Sequence, residues 1–167
     1  MALVALGLKP SLHAAAQASP ELGVSLTALY DKVNHTEPEV VRALVRGCAE
    51  KLVPVVAPMK TQQVPWAAGY RVRVLDGSHL AASEKRLKPL RGLRGAALPG
   101  QSLVVYAPEL DLVVERVPAE DAHAQERALT GPVLAQVQKR ELWLADRSFS
   151  TTGSLFALHD KQAAFVI

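Results

Sequence analysis

The sequence predicts an α/β fold: a mixed sheet with elements in the order βββαβαβ, behind a small helical region. Three observations carry this expectation. Arg71-Val72-Arg73-Val74-Leu75-Asp76-Gly77-Ser78 sets apolar against basic residues and closes on a carboxylate, as a β-strand would. Glu141-Leu142-Trp143-Leu144-Ala145-Asp146-Arg147-Ser148 repeats the design. Between them two apolar runs meet at Ala107-Pro108-Glu109, which reads as a hairpin.

In chain order, residues 1–20 are Ala-rich and carry no firm element. Ser25 is an N-cap for a short helix with Leu26, Leu29 and Val33 on one face. Thr36-Glu37-Pro38-Glu39 has the form of a capping box with a proline in the first turn. A helix is expected from there to about Leu52, with Val40, Val41, Leu44, Val45, Cys48 and Leu52 as its apolar stripe. Arg42, Arg46 and Glu50 fall off that stripe, on what reads as a solvated face. Pro54, Pro58 and Pro65 each fix φ and lack an N–H, so an extended linker is expected. This divides the chain into a helical region, 1–60, and a β-rich region, 61–167.

The β-rich region opens with a strand over 70–76. A connection over 77–101 follows, with a short helix over 83–90 that carries Lys85, Arg86 and Lys88. Strands are expected over 102–106 and 110–117. A helix should start near Glu120-Asp121, where acidic side chains suit the macrodipole, and reach about Val137 with a break at Gly131-Pro132. A strand over 142–145, a helix capped by Thr151 or Thr152, and a strand over 163–167 complete the order.

Composition narrows the classes. Aromatic residues make up 5% of 167, so the core must be aliphatic. Cys48 is the one cysteine, which excludes an intrachain disulfide. The apolar start at 1–8 is ended by Lys9-Pro10, and no apolar run approaches the ~18 residues of a membrane span. A cytoplasmic protein is expected. Net charge is +3, but residues 71–95 hold seven basic and two acidic side chains, a local net of +5. Both ends read as cut, so a piece of a longer protein is expected.

Asp76-Gly77 alone is also a strong hairpin-turn signal, and Asp146 alone is an ordinary helix cap. As a pair they gain another reading. A βββαβ order sets the first and fourth strands side by side and parallel, bringing both carboxylates to one edge about 5 Å apart. Two carboxylates that close repel unless a cation lies between them. Oxygen-only ligation suits Mg²⁺ or Mn²⁺, and the basic segment beside them suits a phosphate backbone. The five histidines show no metal-ligand spacing, and there is no glycine-rich phosphate loop. Trp143, between leucines, reads as core, and Trp66 as packing over the linker.

Leu29-Tyr30-Asp31-Lys32-Val33-Asn34-His35-Thr36-Glu37-Pro38, then Val74-Leu75-Asp76-Gly77-Ser78-His79-Leu80, then Leu144-Ala145-Asp146-Arg147-Ser148-Phe149 resemble a bacterial insertion-sequence transposase of the DDE type, in the "insertion sequence four" family. The resemblance runs over roughly 25–167. It implies a ribonuclease-H-like catalytic domain over 61–167 that cuts and joins DNA with two divalent metal ions. It implies Asp76 and Asp146 as the first two catalytic carboxylates and metal ligands. Lys85, Arg86, Lys88, Arg91, Arg94 and Arg147 are the expected DNA contacts, and the helical region 1–60 is a further candidate for DNA binding. The partners implied are transposon ends and target DNA, with a homodimer in the full-length protein, nucleoid-associated when bound. The family's third carboxylate is a glutamate in a later Tyr-x-x-Arg-x-x-x-Glu-x-x-x-x-x-x-Lys segment, which the 167 residues do not reach. The chain is therefore expected to be inactive alone. The alternatives are a non-catalytic DNA-binding remnant, or a ribonuclease-H-like nuclease whose third carboxylate is Glu141, Glu126 or Asp160.

Overall fold

Arg71–Leu80, strand β1, lies at the centre of a five-stranded sheet. The structure is a computed structural model and describes residue 4 and residues 7–59, 64–80, 100–119 and 125–167. The other strands are Gly100–Ala107 (β2), Leu112–Ala119 (β3), Glu141–Ala145 (β4) and Ala164–Val166 (β5), in the spatial order β3-β2-β1-β4-β5. β1–β2 and β2–β3 pair antiparallel, and β1–β4 and β4–β5 pair parallel. The expected mixed α/β sheet is present, and the expected order βββαβαβ holds.

Side-chain alternation gives the sheet one core face. Leu75, Leu103, Val105, Val117 and Trp143 share it, and the register aligns them: Leu75 with Val105 and Ala145, Leu103 with Val117. Val133 and Val137, Phe149, Leu158 and Ala163 close over them. Leu158 comes from the helix Thr152–Asp160, whose N-cap Thr151 accepts a hydrogen bond from the Ser154 amide. The chain divides into two compact units between Thr36 and Glu37. Within 1–36 are the helices Leu12–Gln17 (α1) and Leu26–Asn34 (α2), capped by the hydroxyls of Ser11 and Ser25. Within 37–167 are Pro38–Met59 (α3), Gly131–Leu134 (α4) and Thr152–Asp160 (α5).

Several expectations change. α3 runs through Pro54 and Pro58 to Met59, where an extended linker was expected. Each proline removes a helix hydrogen bond, at a cost of about 3 kcal/mol, but both sit on the exposed side, where water can take the freed carbonyls. The helix also presents a different face. Val40, Leu44 and Leu52 of the expected stripe are 57%, 64% and 44% exposed, while Ala49 is 6% exposed. Arg42 and Arg46 turn toward β3 instead, because β3 carries a buried carboxylate, Glu115, that needs them. α3 packs on β3, and the compact units part at 36/37. The expected helix up to Val137 is two short pieces in the described residues, the 3-10 turn Glu126–Leu129 and α4, separated at Thr130. The expected packing of Trp66 over the linker is not seen, since it is 65% exposed.

A last change bears on the site. β1 does not end at Asp76; it continues to Leu80, paired with β2 throughout. What ends near Asp76 is the pairing with β4, whose last register pair is Leu75↔Ala145. Asp76-Gly77 is therefore within a strand and not a hairpin turn. The turn of the β2–β3 hairpin lies at 108–111, where Asp111 takes φ 56° and accepts a 2.7 Å hydrogen bond from the Tyr106 hydroxyl.

Candidate metal-binding carboxylate pair

From β1 the chain passes to β2 on one side, and from β4 it passes to β5 on the other. The boundary between β1 and β4 is thus a switch point, where the carboxyl ends of parallel strands open a crevice. Asp76 and Asp146 are each one residue past the Leu75↔Ala145 pair. Neighbouring strands lie about 4.8 Å apart, so the two backbones are adjacent. The alternation that turns Leu75 and Ala145 to the core turns Asp76 and Asp146 away from it, and both are exposed.

Asp146 also ends the strand. Its carboxylate accepts a 2.7 Å hydrogen bond from the Ser148 amide and so caps the 3-10 turn Arg147–Phe149. Phe149 is 2% exposed and anchors that turn in the core. The backbone of Asp146 is thus fixed, and capping leaves a carboxylate further lone pairs. Arg147, the next residue, is exposed. Among the described residues neither Asp76 nor Asp146 has a salt-bridge partner.

Two other carboxylates behave differently. Glu115 and Glu141 are each 4% exposed on the core face. Arg42 holds Glu115 through two bonds of 3.2 Å, Nε to Oε1 and Nη2 to Oε2. Arg46 stands 3.8 Å from Glu115, and the Gln136 amide donates to it. The hydrogen bond that Arg42 donates to Glu115 raises the Arg42 pKa. Arg73 lies 3.3 Å from Glu141 and Arg71 3.9 Å. The Gln138 amide (2.9 Å) and Trp143 Nε1 (3.2 Å) also donate to Glu141. Burial lowers the Arg73 pKa despite the attraction of Glu141. A cavity of about 630 Å³ lies beside these pairs, lined by Arg46, Arg73, Glu115, Gln136, Glu141 and Trp143 among others. Its carboxylates are already neutralised, so it is poorly suited to a cation.

The proposed third carboxylates do not join Asp76 and Asp146. Glu141 is committed to Arg73 at the far end of β4. Asp160 ends α5. The Glu126 carboxylate covers Gly77 so closely that a Cβ built on Gly77 would overlap it. Gly77 follows Asp76, so by alternation Glu126 sits on the opposite face of the sheet from the Asp76 side chain. Among the described residues no group of three or more His, Cys, Asp or Glu is arranged to hold a metal ion. Lys85, Arg86, Lys88, Arg91 and Arg94 lie outside the described residues, as does the expected helix over 83–90.

Sequence reasoning missed Glu115 and its arginines. A signal was present: alternation with Val117 sets Glu115 on an apolar face of β3, and Ala49 marks the close-packed side of α3.

A mixed five-stranded α/β sheet with two exposed aspartates at its β1/β4 boundary is thus what fold and site define. No family model matches the chain, and no curated protein matches it. Among solved structures the chain is similar to "Mos1 transposase paired-end complex with left transposon end", at 12% identity and a TM-score of 0.42 over 90% of this chain and 52% of that one. It is also similar to "Crystal structure of a pre-cleavage Mos1 transpososome", at 13% identity and a TM-score of 0.36 over 90% of this chain and 53% of that one. The chain spans about half the length of these structures. Scores of this size add nothing to the topology itself and decide no activity. No helix among the described residues is long and apolar enough to cross a membrane.

Proposed function

We propose that the chain is part of a DNA transposase of the DDE type, in the "insertion sequence four" family, and that Asp76 and Asp146 are metal-binding carboxylates of its catalytic site. One observation carries this reading: two exposed aspartates, adjacent at a parallel-strand switch point, with no described cation to neutralise them. Hard carboxylate oxygens fit Mg²⁺ or Mn²⁺. They are two donors of a set, completed by the family's later glutamate, which is not among these 167 residues.

When bound, a pair of such ions activates a water or hydroxyl nucleophile and stabilises the leaving oxygen of a phosphodiester. The protein's own part is positioning. Asp146 is locked by its cap to Ser148, and Asp76 by a strand paired on both sides up to Leu75. Arg147 is exposed beside Asp146 and serves to orient the scissile strand. Lys85, Arg86, Lys88, Arg91 and Arg94 contribute phosphate contacts, whose strength falls with salt. DNA ends and target DNA are the substrates, a homodimer of the whole protein is the acting form, and its place is the cytoplasm.

The test is Asp76→Ala in an intact relative. Strand cleavage should vanish while binding to transposon ends persists. Normal cleavage would remove Asp76 from the site and the reading with it.

A further inference from the structure

Two buried side-chain atoms among the described residues have no hydrogen-bond partner, Ser102 Oγ and Arg116 Nε. Ser102 is 2% exposed, and Arg116 is half-buried. Native structures leave few buried donors unpaired, so each one needs a reason. These two lie together. Ser102 pairs with Pro118 across β2–β3, which makes Arg116 its diagonal neighbour, within reach of a long side chain.

They also share the face of the carboxylates. Glu115 and Val117 turn to the core, so Arg116 turns away from it. Across the strands the register runs Asp76↔Val104↔Arg116, with Ser78↔Ser102↔Pro118 alongside. Arg116 thus stands two strands from Asp76, about 10 Å at the usual strand spacing. Among the described residues it has no ion pair. The other four arginines that reach the sheet, Arg42, Arg46, Arg71 and Arg73, all meet a carboxylate on the core face.

Charge then selects the occupant. A cation at Asp76 and Asp146 would repel an unpaired guanidinium on the same face. An anion between them attracts both. A guanidinium presents paired N–H donors that match two oxygens of a phosphate, and Ser102, itself 2% exposed, lies buried behind it. We propose that Arg116, backed by Ser102, is a phosphate-binding residue that holds the DNA strand over Asp76. This rests on the function proposed above and adds a residue to it, on a strand that bears none of the basic segment 85–94.

The test follows the Arg116 Nε–Hε resonance in the nitrogen-15-labelled 167-residue chain, assigned by its disappearance in Arg116→Lys. A short DNA duplex with Mg²⁺ should move it, and a duplex with neutral methylphosphonate linkages should not. Arg116→Gln should weaken binding and lower the slope of log affinity against log salt by about 0.9, while Arg116→Lys, which keeps the charge, should leave the slope nearly unchanged. A resonance unmoved by a duplex whose binding needs Mg²⁺ and Asp76 overturns the Arg116 assignment and leaves the transposase reading standing. A shift produced equally by Mg²⁺ and chloride alone means a buried water or adventitious ion only, and also overturns it. A duplex-induced shift that persists without Mg²⁺ and in Asp76→Asn supports the phosphate contact and overturns the metal reading instead.

Discussion

Four carboxylates divide this sheet into two regions with opposite electrostatic designs. On the core face, Glu115 and Glu141 are each 4% exposed and each meets two arginines. At the switch point, Asp76 and Asp146 are exposed, and no described cation pairs with either. The first pair has its counter-charge built into the chain. The second has no counter-charge among the described residues. Buried ion pairs seldom add net stability over an apolar packing, but breaking one leaves a charge stranded. The core-face pairs therefore help fix where α3 and β4 sit, and the exposed pair holds nothing in place across the sheet.

Substitutions should separate the two regions. Asp76→Ala in an intact relative has the largest expected effect, the loss of strand cleavage, with folding stability of the present chain changed by less than about 0.5 kcal/mol. A large loss of stability would place Asp76 among the structural acids. Glu115→Ala should do the reverse, since it strands Arg42 with its side chain 16% exposed. A loss of about 3–5 kcal/mol is expected in urea unfolding. A loss below about 1 kcal/mol would mean that the α3–β3 ion pair is not what orients the helix.

Mn²⁺ should raise the unfolding temperature of the chain with the logarithm of its concentration above the dissociation constant, and Asp146→Asn should remove that rise. Glu141→Gln, if it folds, should keep it, because Glu141 faces Arg73 on the other side of the sheet. The smallest effect belongs to Tyr106, whose pKa is raised by its hydrogen bond to Asp111. A pKa raised on folding gives stability that is complete below the unfolded value, near 10, and lost as pH rises through the folded one. Tyr106→Phe should abolish this alkaline step and lower stability at neutral pH by the same small amount. An unaltered alkaline step would deny the Tyr106–Asp111 bond.

The sheet was largely legible in the sequence because its information is local. Period-2 apolar runs gave β1 to β5, and Ser25 and Thr151 marked their helices by capping. The order of elements then set β1 beside β4 and brought Asp76 close to Asp146. What stayed hidden depends on distant partners. Arg42 looks solvated on a helical wheel, since the carboxylate that turns it inward lies 73 residues away. Pro54 and Pro58 look like breakers, since local rules carry no term for a helix held against a sheet. Asp76 looks like a strand end, since only the pairing with β2 shows β1 continuing to Leu80. Ser102 and Arg116 carry no motif at all; their shared face appears once three strands are in register.

The central claim is that Asp76 and Asp146 share one cation, and Mn²⁺ binding measured by electron paramagnetic resonance addresses it most directly. The free-ion signal should fall as chain is added, and Asp76→Asn and Asp146→Asn should each restore it. Equal Mn²⁺ binding by the wild-type chain and both variants would contradict the account.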